Sequence, residues 1–174
     1  MKKILLFSIC ATVIFLCTSF KRPVANPDDY YIVIIKHNYE MKLYDANNNW
    51  LITYPVVFGS KDMGDKMYQG DRRTPEGTFH IVAKKDHHRW NKFLALDYPN
   101  EESYQKFNER KAQGLIPQNA QIGGDIGIHG TWPHEEFAVD QYQNWTLGCV
   151  STKNEYITEM YNALPVGTKV IIKY

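Results

Sequence analysis

Runs of β-branched and aromatic residues alternate with polar turns through the first half of the chain and return at its end. Such runs, bounded by Asn, Asp, Gly and Pro, predict β-strands. The predicted strands cover residues 30–37, 40–44, 50–58, 77–83 and 168–173. Residues 59–74 carry three glycines and many charges, and we predict a loop there.

Two other segments have the periodicity of a helix. In residues 101–113, Tyr104, Phe107 and Lys111 have helical spacing, and Gly114 follows as a stop signal. Because helices and strands do not alternate regularly along the chain, we predict a mainly β domain with a few inserted helices.

The second predicted helix covers residues 154–164, with Asn154 as its N-cap and Pro165 as its terminator. A 3.6-residue repeat places five residues on one apolar face. They are Tyr156, Ile157, Met160, Tyr161 and Leu164.

The N-terminal segment has a different pattern. Two lysines precede an uncharged, mostly apolar run over residues 4–20, and Lys-Arg-Pro follows it. We predict an export signal or N-terminal anchor over residues 1–22, a linker over 23–29 and one domain over 30–174. The alternative for the apolar run is a buried core helix. The predicted location is outside the cytoplasm, in the periplasm or cell envelope, with membrane contact only through residues 4–20.

Composition supports a folded domain. Hydrophobic residues make up 44% of the chain and aromatic residues 14%, which excludes the composition typical of disorder. The 20 basic and 19 acidic residues exclude the strongly basic balance of nucleic-acid-binding proteins. Without residues 1–22 the balance becomes 16 basic against 19 acidic residues, a net charge of −3.

The cysteine distribution isolates one thiol. Of three cysteines, Cys10 and Cys17 lie in the predicted export segment and Cys149 lies in the domain. After export, Cys149 has no partner for an intramolecular disulfide. It is therefore a buried core cysteine, a cysteine that pairs with another chain, or a reactive thiol.

Cys149 and His129 are the candidates for chemistry. A thiol with a pKa of about 8.5 needs a base or a positive field to become a nucleophile at neutral pH, and His129 would supply it. Backbone amides around Gly148 and Cys149 would stabilise an oxyanion. The Gly130 carbonyl, Asp125 or Asp140 would orient the imidazole. A structural histidine beside a strand remains the alternative.

A metal site is weakly supported. His87, His88, His129, His134 and Cys149 include the ligand types of zinc. Adjacent histidines on a strand would point to opposite faces, however, and the sequence has no CxxC or HExxH motif. The glycine-rich segment 123–127 lacks the Lys-Ser/Thr of a phosphate-binding loop. We predict no metal and no cofactor.

Three ordered motifs resemble one known family, the L,D-transpeptidase catalytic domain of the YkuD type. His129-Gly130 is followed, 16 residues later, by a segment that starts at Thr146 and reads Thr-Leu-Gly-Cys-Val, similar to the family's His, spacer and Ser/Thr-His-Gly-Cys pattern. Residues 70–79 read Gly-Asp-Arg-Arg-Thr-Pro-Glu-Gly-Thr-Phe and resemble its Arg-Thr-Pro-x-Gly-x-Tyr/Phe segment. The segments 42–44 and 165–170 resemble the family's two ends.

The resemblance implies a β-sandwich-like domain that acts by acyl transfer on peptidoglycan stem peptides without a metal. Cys149 would be the nucleophile and His129 the base, oriented by the Gly130 carbonyl. The amides of Gly148 and Cys149 would form the oxyanion hole. The resulting thioester would pass to an amine of a second stem, to a wall-linked protein or to water.

Substrate contacts and departures from the family pattern leave alternatives open. Predicted substrate-binding residues are Trp132, Trp145, Thr146 and Arg73; packing of the aromatic residues and a solvated turn at the arginine are the alternatives. Leu147 replaces a histidine of the family pattern and Ser151 an arginine that would hold a carboxylate. Three functions therefore remain: a transpeptidase, a peptidoglycan hydrolase (L,D-carboxypeptidase or amidase type) with the same Cys/His pair, and a non-catalytic wall-binding module.

Overall fold

A computed structural model describes residues 25–174. Within this range the strands are β1 (Tyr30–Ile35), β2 (Glu40–Asp45), β3 (Trp50–Pro55), β4 (Gly77–His87), β5 (Asn91–Leu96), β6 (Gly127–His129), β7 (Val150–Ser151) and β8 (Lys169–Lys173). The helices are α1 (Glu101–Ala112), α2 (Phe137–Asp140) and α3 (Asn154–Ala163). The mainly β architecture predicted from the sequence is confirmed.

The strands form one curled sheet in the order β3-β2-β1-β8-β4-β5-β6-β7. The β1–β8 and β6–β7 pairs are parallel and the others antiparallel. Strand β4 joins the two halves of the sheet, because its first residues pair with β8 and the rest with β5. Its pairing with β5 shifts register between Ile81 and Ala83, where an irregularity of this kind bends a strand.

The two edges of the sheet meet where the chain continues beyond β3. The Val57 amide donates to the Ser151 carbonyl oxygen at 2.8 Å, and the Ser151 amide donates to Val57 at 2.9 Å. This bridge fixes β7, a strand of only two residues, between β6 and the segment after β3.

One hydrophobic core fills the inside of the curled sheet. Both halves of the sheet and α3 contribute side chains to it. Its most deeply buried members include Ile32, Ile34, Met41, Phe79, Ile81, Leu94, Ile128, Val150, Ile157, Met160, Leu164 and Val170. The predicted apolar face of the second helix is confirmed, because Ile157, Met160 and Leu164 are buried and its two tyrosines pack against the core.

The sequence pattern located most of the long elements and missed the short ones. Strands β1, β2, β3, β4 and β8 and helices α1 and α3 were predicted, with ends that differ by a few residues. Strands β5, β6 and β7 and helix α2 were not. The predicted cap of α3 is wrong: Lys153 is the N-cap, and Asn154 is the first helical residue. The side-chain amide of Asn154 instead donates to the Thr131 hydroxyl at 3.3 Å.

The predicted segment 1–22 lies outside the described residues. In the described part of the predicted linker, Pro27–Asp29 forms a single 3-10 turn capped by Asn26, and the Asp29 carbonyl accepts a bond from Ala46. None of the helices within residues 25–174 combines the length and the apolar composition needed to cross a bilayer.

Lys36 is the largest fully buried side chain outside the apolar set and fixes the loop over residues 59–76. Its ammonium lies 2.7 Å from Glu76 Oε1 and donates to the carbonyl oxygens of Gly64, at 3.0 Å, and Thr74, at 3.2 Å. Burial lowers the pKa of Lys36, and the ion pair with Glu76 opposes this shift. The ammonium therefore connects the end of β1 to two separate parts of the 59–76 loop, one at Gly64 and one at residues 74–76.

Lys36→Met should destabilise the domain by about 2–3 kcal/mol, because it leaves two carbonyl groups without their donor and a carboxylate without its cation. Urea unfolding followed by circular dichroism would measure the change. The matched control is Lys173→Met, an exposed lysine at the end of β8, which should change stability by less than about 0.5 kcal/mol. Equal effects of the two substitutions would contradict the proposed role of Lys36.

Candidate active site

His129 ends the short strand β6 and is 1% exposed. Its Nδ1 lies 2.7 Å from the carbonyl oxygen of Gly130. A carbonyl oxygen can only accept a hydrogen bond, so Nδ1 carries the proton and Nε2 carries the lone pair. Of the three orienting groups that the sequence offers, the Gly130 carbonyl occupies this position, whereas Asp140 pairs with Lys153.

Gly130 is held on both sides. Its amide donates to the Trp90 carbonyl oxygen at 3.0 Å, and its carbonyl also accepts a bond from the Ser151 hydroxyl at 3.1 Å. A Cβ at this position would lie 2.1 Å from Asn154 Oδ1, so no side chain fits. The carbonyl that orients His129 is therefore rigid.

Aromatic rings enclose the imidazole. Trp90 stacks on His129 with ring centroids 4.4 Å apart, and Phe93 lies 5.9 Å away with its ring nearly parallel. Trp145 contacts the imidazole edge-on at 5.4 Å. Burial lowers the pKa of His129 to about 4, and the bond to Gly130 opposes this shift only in part. The imidazole is therefore neutral at physiological pH.

Cys149 immediately precedes β7, the strand that pairs with β6. Its thiol donates to the Asp125 carbonyl oxygen at 3.3 Å, and the residue is partly exposed. The enclosing walls of the site raise the pKa of Cys149 to about 11, although a backbone hydrogen bond from Gly127 and the positive charge of Lys66 act in the opposite direction. The resting thiol is therefore protonated.

The strand register brings the two groups to one site. Ile128 pairs with Val150 and His129 with Ser151, so Cys149 lies next to the end of the strand that carries the imidazole. Both residues line the same cleft, whose volume is about 870 Å³. This arrangement places a thiol and a neutral, almost fully buried imidazole in the wall of one cleft.

The turn over residues 144–149 presents the thiol. The Trp145 and Thr146 amides both donate to the Phe58 carbonyl oxygen, at 2.9 and 3.1 Å. The Thr146 hydroxyl donates to the Cys149 carbonyl oxygen at 2.8 Å and accepts from the Gly148 amide at 3.2 Å. Gly148 has a φ of +136°, a conformation that favours glycine.

These contacts assign different roles to the two predicted oxyanion donors. The Gly148 amide already donates to Thr146. The Cys149 amide has no acceptor among residues 25–174 and remains available for a developing oxyanion. The Thr146 hydroxyl is occupied within the turn, so it shapes the backbone at Cys149, and Thr146 remains part of the cleft wall.

The fold places some of the other predicted substrate-binding residues in the cleft and one of them outside it. Trp132 and Trp145 line the cleft, and Trp132 also contacts the Arg89 guanidinium. Arg73 does not line it, because its guanidinium pairs with Asp62 and donates to the Asp65 carbonyl oxygen at 3.3 Å. Arg72, which the sequence interpretation left out, lines the cleft instead.

The two departures from the family pattern have different environments. Leu147 is 78% exposed at the cleft. Ser151 is fully buried and contacts the Gly130 carbonyl, so it does not reach a substrate.

The expectation that His87 and His88 point to opposite faces is wrong. Their rings stack with centroids 5.0 Å apart, because β4 ends at His87 and a turn begins at His88. Within residues 25–174 no group of three or more potential metal ligands is present.

Sequence interpretation missed several residues of the site. Trp90 and Phe93 cover the imidazole, Lys66 and Arg72 supply positive charge, and Asn144 bonds to the Phe58 amide at 2.8 Å. The aromatic residues Trp90 and Phe93 follow the adjacent histidines closely in the sequence. This clustering is the sequence signal that could have indicated an aromatic wall of the site.

Comparison with known proteins identifies proteins that this chain resembles in sequence and in fold. The chain is 25% identical over 150 residues to YqjB of Bacillus subtilis (strain 168), whose name places it among the L,D-transpeptidases, and the match covers 84% of this chain and 72% of YqjB. Among solved structures, Bd1075 of Bdellovibrio bacteriovorus has a TM-score of 0.59 at 19% identity, covering 83% of this chain and 48% of that one.

The helical cell shape determining protein Pgp2 of Campylobacter jejuni also has a TM-score of 0.59, at 20% identity, covering 83% of this chain and 47% of that one. The present chain thus spans about half the length of these two solved structures. The model of the L,D-transpeptidase catalytic domain matches residues 29–172, nearly the whole described domain. On this match, the chain belongs to the L,D-transpeptidase catalytic domain (YkuD) family.

Proposed function

We propose that this chain is an exported cysteine acyltransferase that remodels peptidoglycan by way of a thioester on Cys149. The observation that carries the proposal is the neutral imidazole of His129, whose Nδ1 is bound to Gly130 and whose Nε2 is unpartnered among residues 25–174, in the same cleft as the thiol. Family membership supports stem peptides as substrates. The apolar run over residues 4–20 supports export.

In the first half of the reaction, Cys149 Sγ attacks the carbonyl carbon of an L-to-D linkage in the donor stem. The thiol proton passes to His129 Nε2 as the carbon–sulfur bond forms. The Cys149 amide donates to the oxyanion. When the tetrahedral intermediate collapses, Nε2 returns the proton to the leaving amine, and a terminal D-amino acid departs.

In the second half, an acceptor attacks the thioester. An amine of a second stem, or of a wall-linked protein, gives transfer, and water gives hydrolysis. His129 Nε2 takes the acceptor's proton and passes it to the departing sulfur, which restores the thiol. Either outcome uses the same two side chains.

The protonation states indicate general-base catalysis rather than a standing thiolate–imidazolium pair. Burial favours the neutral form of both His129 and Cys149. Charge separation therefore develops only as the thiol attacks, and the existing bond to the Gly130 carbonyl and the stacked Trp90 then stabilise the imidazolium.

The thiolate of Cys149 should appear only at high pH, because burial raises the pKa of its thiol to about 11. The ultraviolet absorbance of the thiolate, taken as the difference between the wild type and Cys149→Ser, would measure its titration. A thiolate already present between about pH 5 and 8 would show a preformed ion pair and contradict a neutral resting pair.

A strained β-lactam carbonyl should acylate Cys149, and we choose imipenem as the probe. The expected result is a stable adduct on the wild-type protein by intact mass. Cys149→Ser, which is nearly isosteric, should give no adduct and keep its melting temperature. His129→Ala should slow adduct formation by about 10²–10⁴-fold. An adduct on Cys149→Ser, or an unchanged rate in His129→Ala, would contradict the proposal.

Product analysis should distinguish the candidate activities. Purified peptidoglycan is incubated with the wild type or Cys149→Ser, digested and examined by mass spectrometry. New stem-to-stem crosslinks that require Cys149 indicate transfer, whereas shortened or released stems without new crosslinks indicate hydrolysis. Unchanged fragments together with retained binding to the wall would contradict both and favour a wall-binding module.

A further inference from the structure

Lys66 places a buried ammonium at the cleft. Its side chain is 3% exposed, and Nζ donates to Asp71 Oδ1 at 2.7 Å. Its two other N–H groups have no acceptor within residues 25–174. A Cβ built on Gly148 would lie 3.7 Å from this Nζ, so the ammonium lies beside the residue that precedes the nucleophile.

Asp71 pairs with the ammonium through one of its three N–H groups. The same carboxylate accepts the backbone amides of Met67 at 2.6 Å, Tyr68 at 3.2 Å and Arg73 at 3.0 Å, so its position is fixed. Asp71 offsets the charge of Lys66, but the two other N–H groups remain available to an anionic ligand.

Arg72 brings a second cation to the same turn. Its Nε and Nη2 contact the Thr146 carbonyl oxygen at 3.4 Å, a long distance for a hydrogen bond, and the side chain is exposed along the cleft. The backbone of the next residue is also close to this turn, because the Arg73 carbonyl oxygen would lie 3.0 Å from a Cβ built on Gly148. The 59–76 loop therefore lies directly against the 144–149 turn.

The sign of the charge in the cleft is opposite to that of the domain. Residues 25–174 carry 16 basic and 19 acidic residues. The residues that line the cleft, however, include three cations, Lys66, Arg72 and Lys85, and one carboxylate, Asp125. With Asp71, which pairs with Lys66, the local balance is three positive charges against two negative ones, and this excess favours an anionic ligand over a neutral one.

Ser151 does not supply a cation to this site. It occupies the position where the family pattern has an arginine, and its buried hydroxyl is bound to the Gly130 carbonyl. The 144–151 segment thus offers no cation of its own, and the 59–76 loop supplies two.

We propose that Lys66 and Arg72 form a carboxylate-binding subsite beside Cys149, which holds a carboxylate of the donor peptide close to the scissile bond. The proposal rests on the proposed function for the identity of the donor. The subsite itself follows from the buried ammonium and its position beside the nucleophile's turn.

The first test needs no peptidoglycan. Cys149 is alkylated with iodoacetate and with iodoacetamide, which differ by one carboxylate, and the ratio of the two rates cancels any change in the thiolate population. Arg72→Gln and Lys66→Met should each lower the iodoacetate to iodoacetamide ratio by about fivefold or more, as expected when a charge-assisted contact is lost. Lys61→Gln, an exposed lysine of the same loop, should leave the ratio unchanged.

Arg72→Gln keeps the test decisive if Lys66→Met disturbs the loop, because Arg72 is exposed; thermal unfolding of each variant identifies such damage. An unchanged ratio in a folded Arg72→Gln protein overturns the subsite. The result stands whether or not the chain acts on stem peptides.

The second test identifies the source of the carboxylate. Stem tetrapeptides with a free C-terminal acid, a C-terminal amide, or an amidated side-chain carboxylate are compared as donors. A KM increase on amidation at one position, which disappears in Arg72→Gln, assigns that carboxylate to the subsite. Equal KM values for all three peptides with the wild type overturn the assignment. A complete lack of turnover refutes the proposed function, and the alkylation ratio still decides the subsite.

Discussion

The hydrogen bond from His129 Nδ1 to the Gly130 carbonyl oxygen, 2.7 Å long and buried, determines which nitrogen of the imidazole can accept a proton. It fixes the tautomer because the carbonyl has no proton to give. The aromatic enclosure by Trp90, Phe93 and Trp145 then keeps water from the ring and the ring uncharged. The remaining nitrogen is therefore a base at physiological pH, and the catalytic proposal depends on it.

The fold explains how so short a strand pair can hold this geometry. Strands β6 and β7 contribute five residues together, too few to be stable alone. The sheet stabilises them from both sides: β5 pairs with β6, and Val57 bridges Ser151 where the curled sheet brings its edges together. The Phe58 carbonyl, the next group along that segment, holds the turn that presents Cys149. The contacts that close the sheet therefore also position Cys149.

The sequence was sufficient for the long strands and the two longer helices, because each has a local signal: a run of β-branched residues or a helical repeat. A motif with fixed spacing singled out Cys149 and His129, which line one cleft. The sequence was insufficient where contacts between distant segments decide the outcome. Strands of two or three residues have no period to detect. Trp90 covers His129 only because β5 pairs with β6.

The arginine pair at 72 and 73 shows the same limit at one position. The two side chains are adjacent in sequence, but Arg72 has a φ of +60°, which redirects the chain so that Arg72 lines the cleft and Arg73 pairs with Asp62. No residue type marks that turn, since a positive φ is uncommon for arginine. Lys66 was missed for a related reason: its burial follows from the way the 59–76 loop folds around Asp71.

The most direct measurement is the tautomer and charge of His129, read from the ring nitrogen shifts in a long-range proton–nitrogen NMR spectrum of the ¹⁵N-labelled protein. The account predicts a neutral ring from about pH 5 to 8, with the proton on Nδ1 and a lone pair on Nε2, consistent with a pKa of about 4. A proton on Nε2 in the neutral ring, or an imidazolium at pH 7, would contradict it.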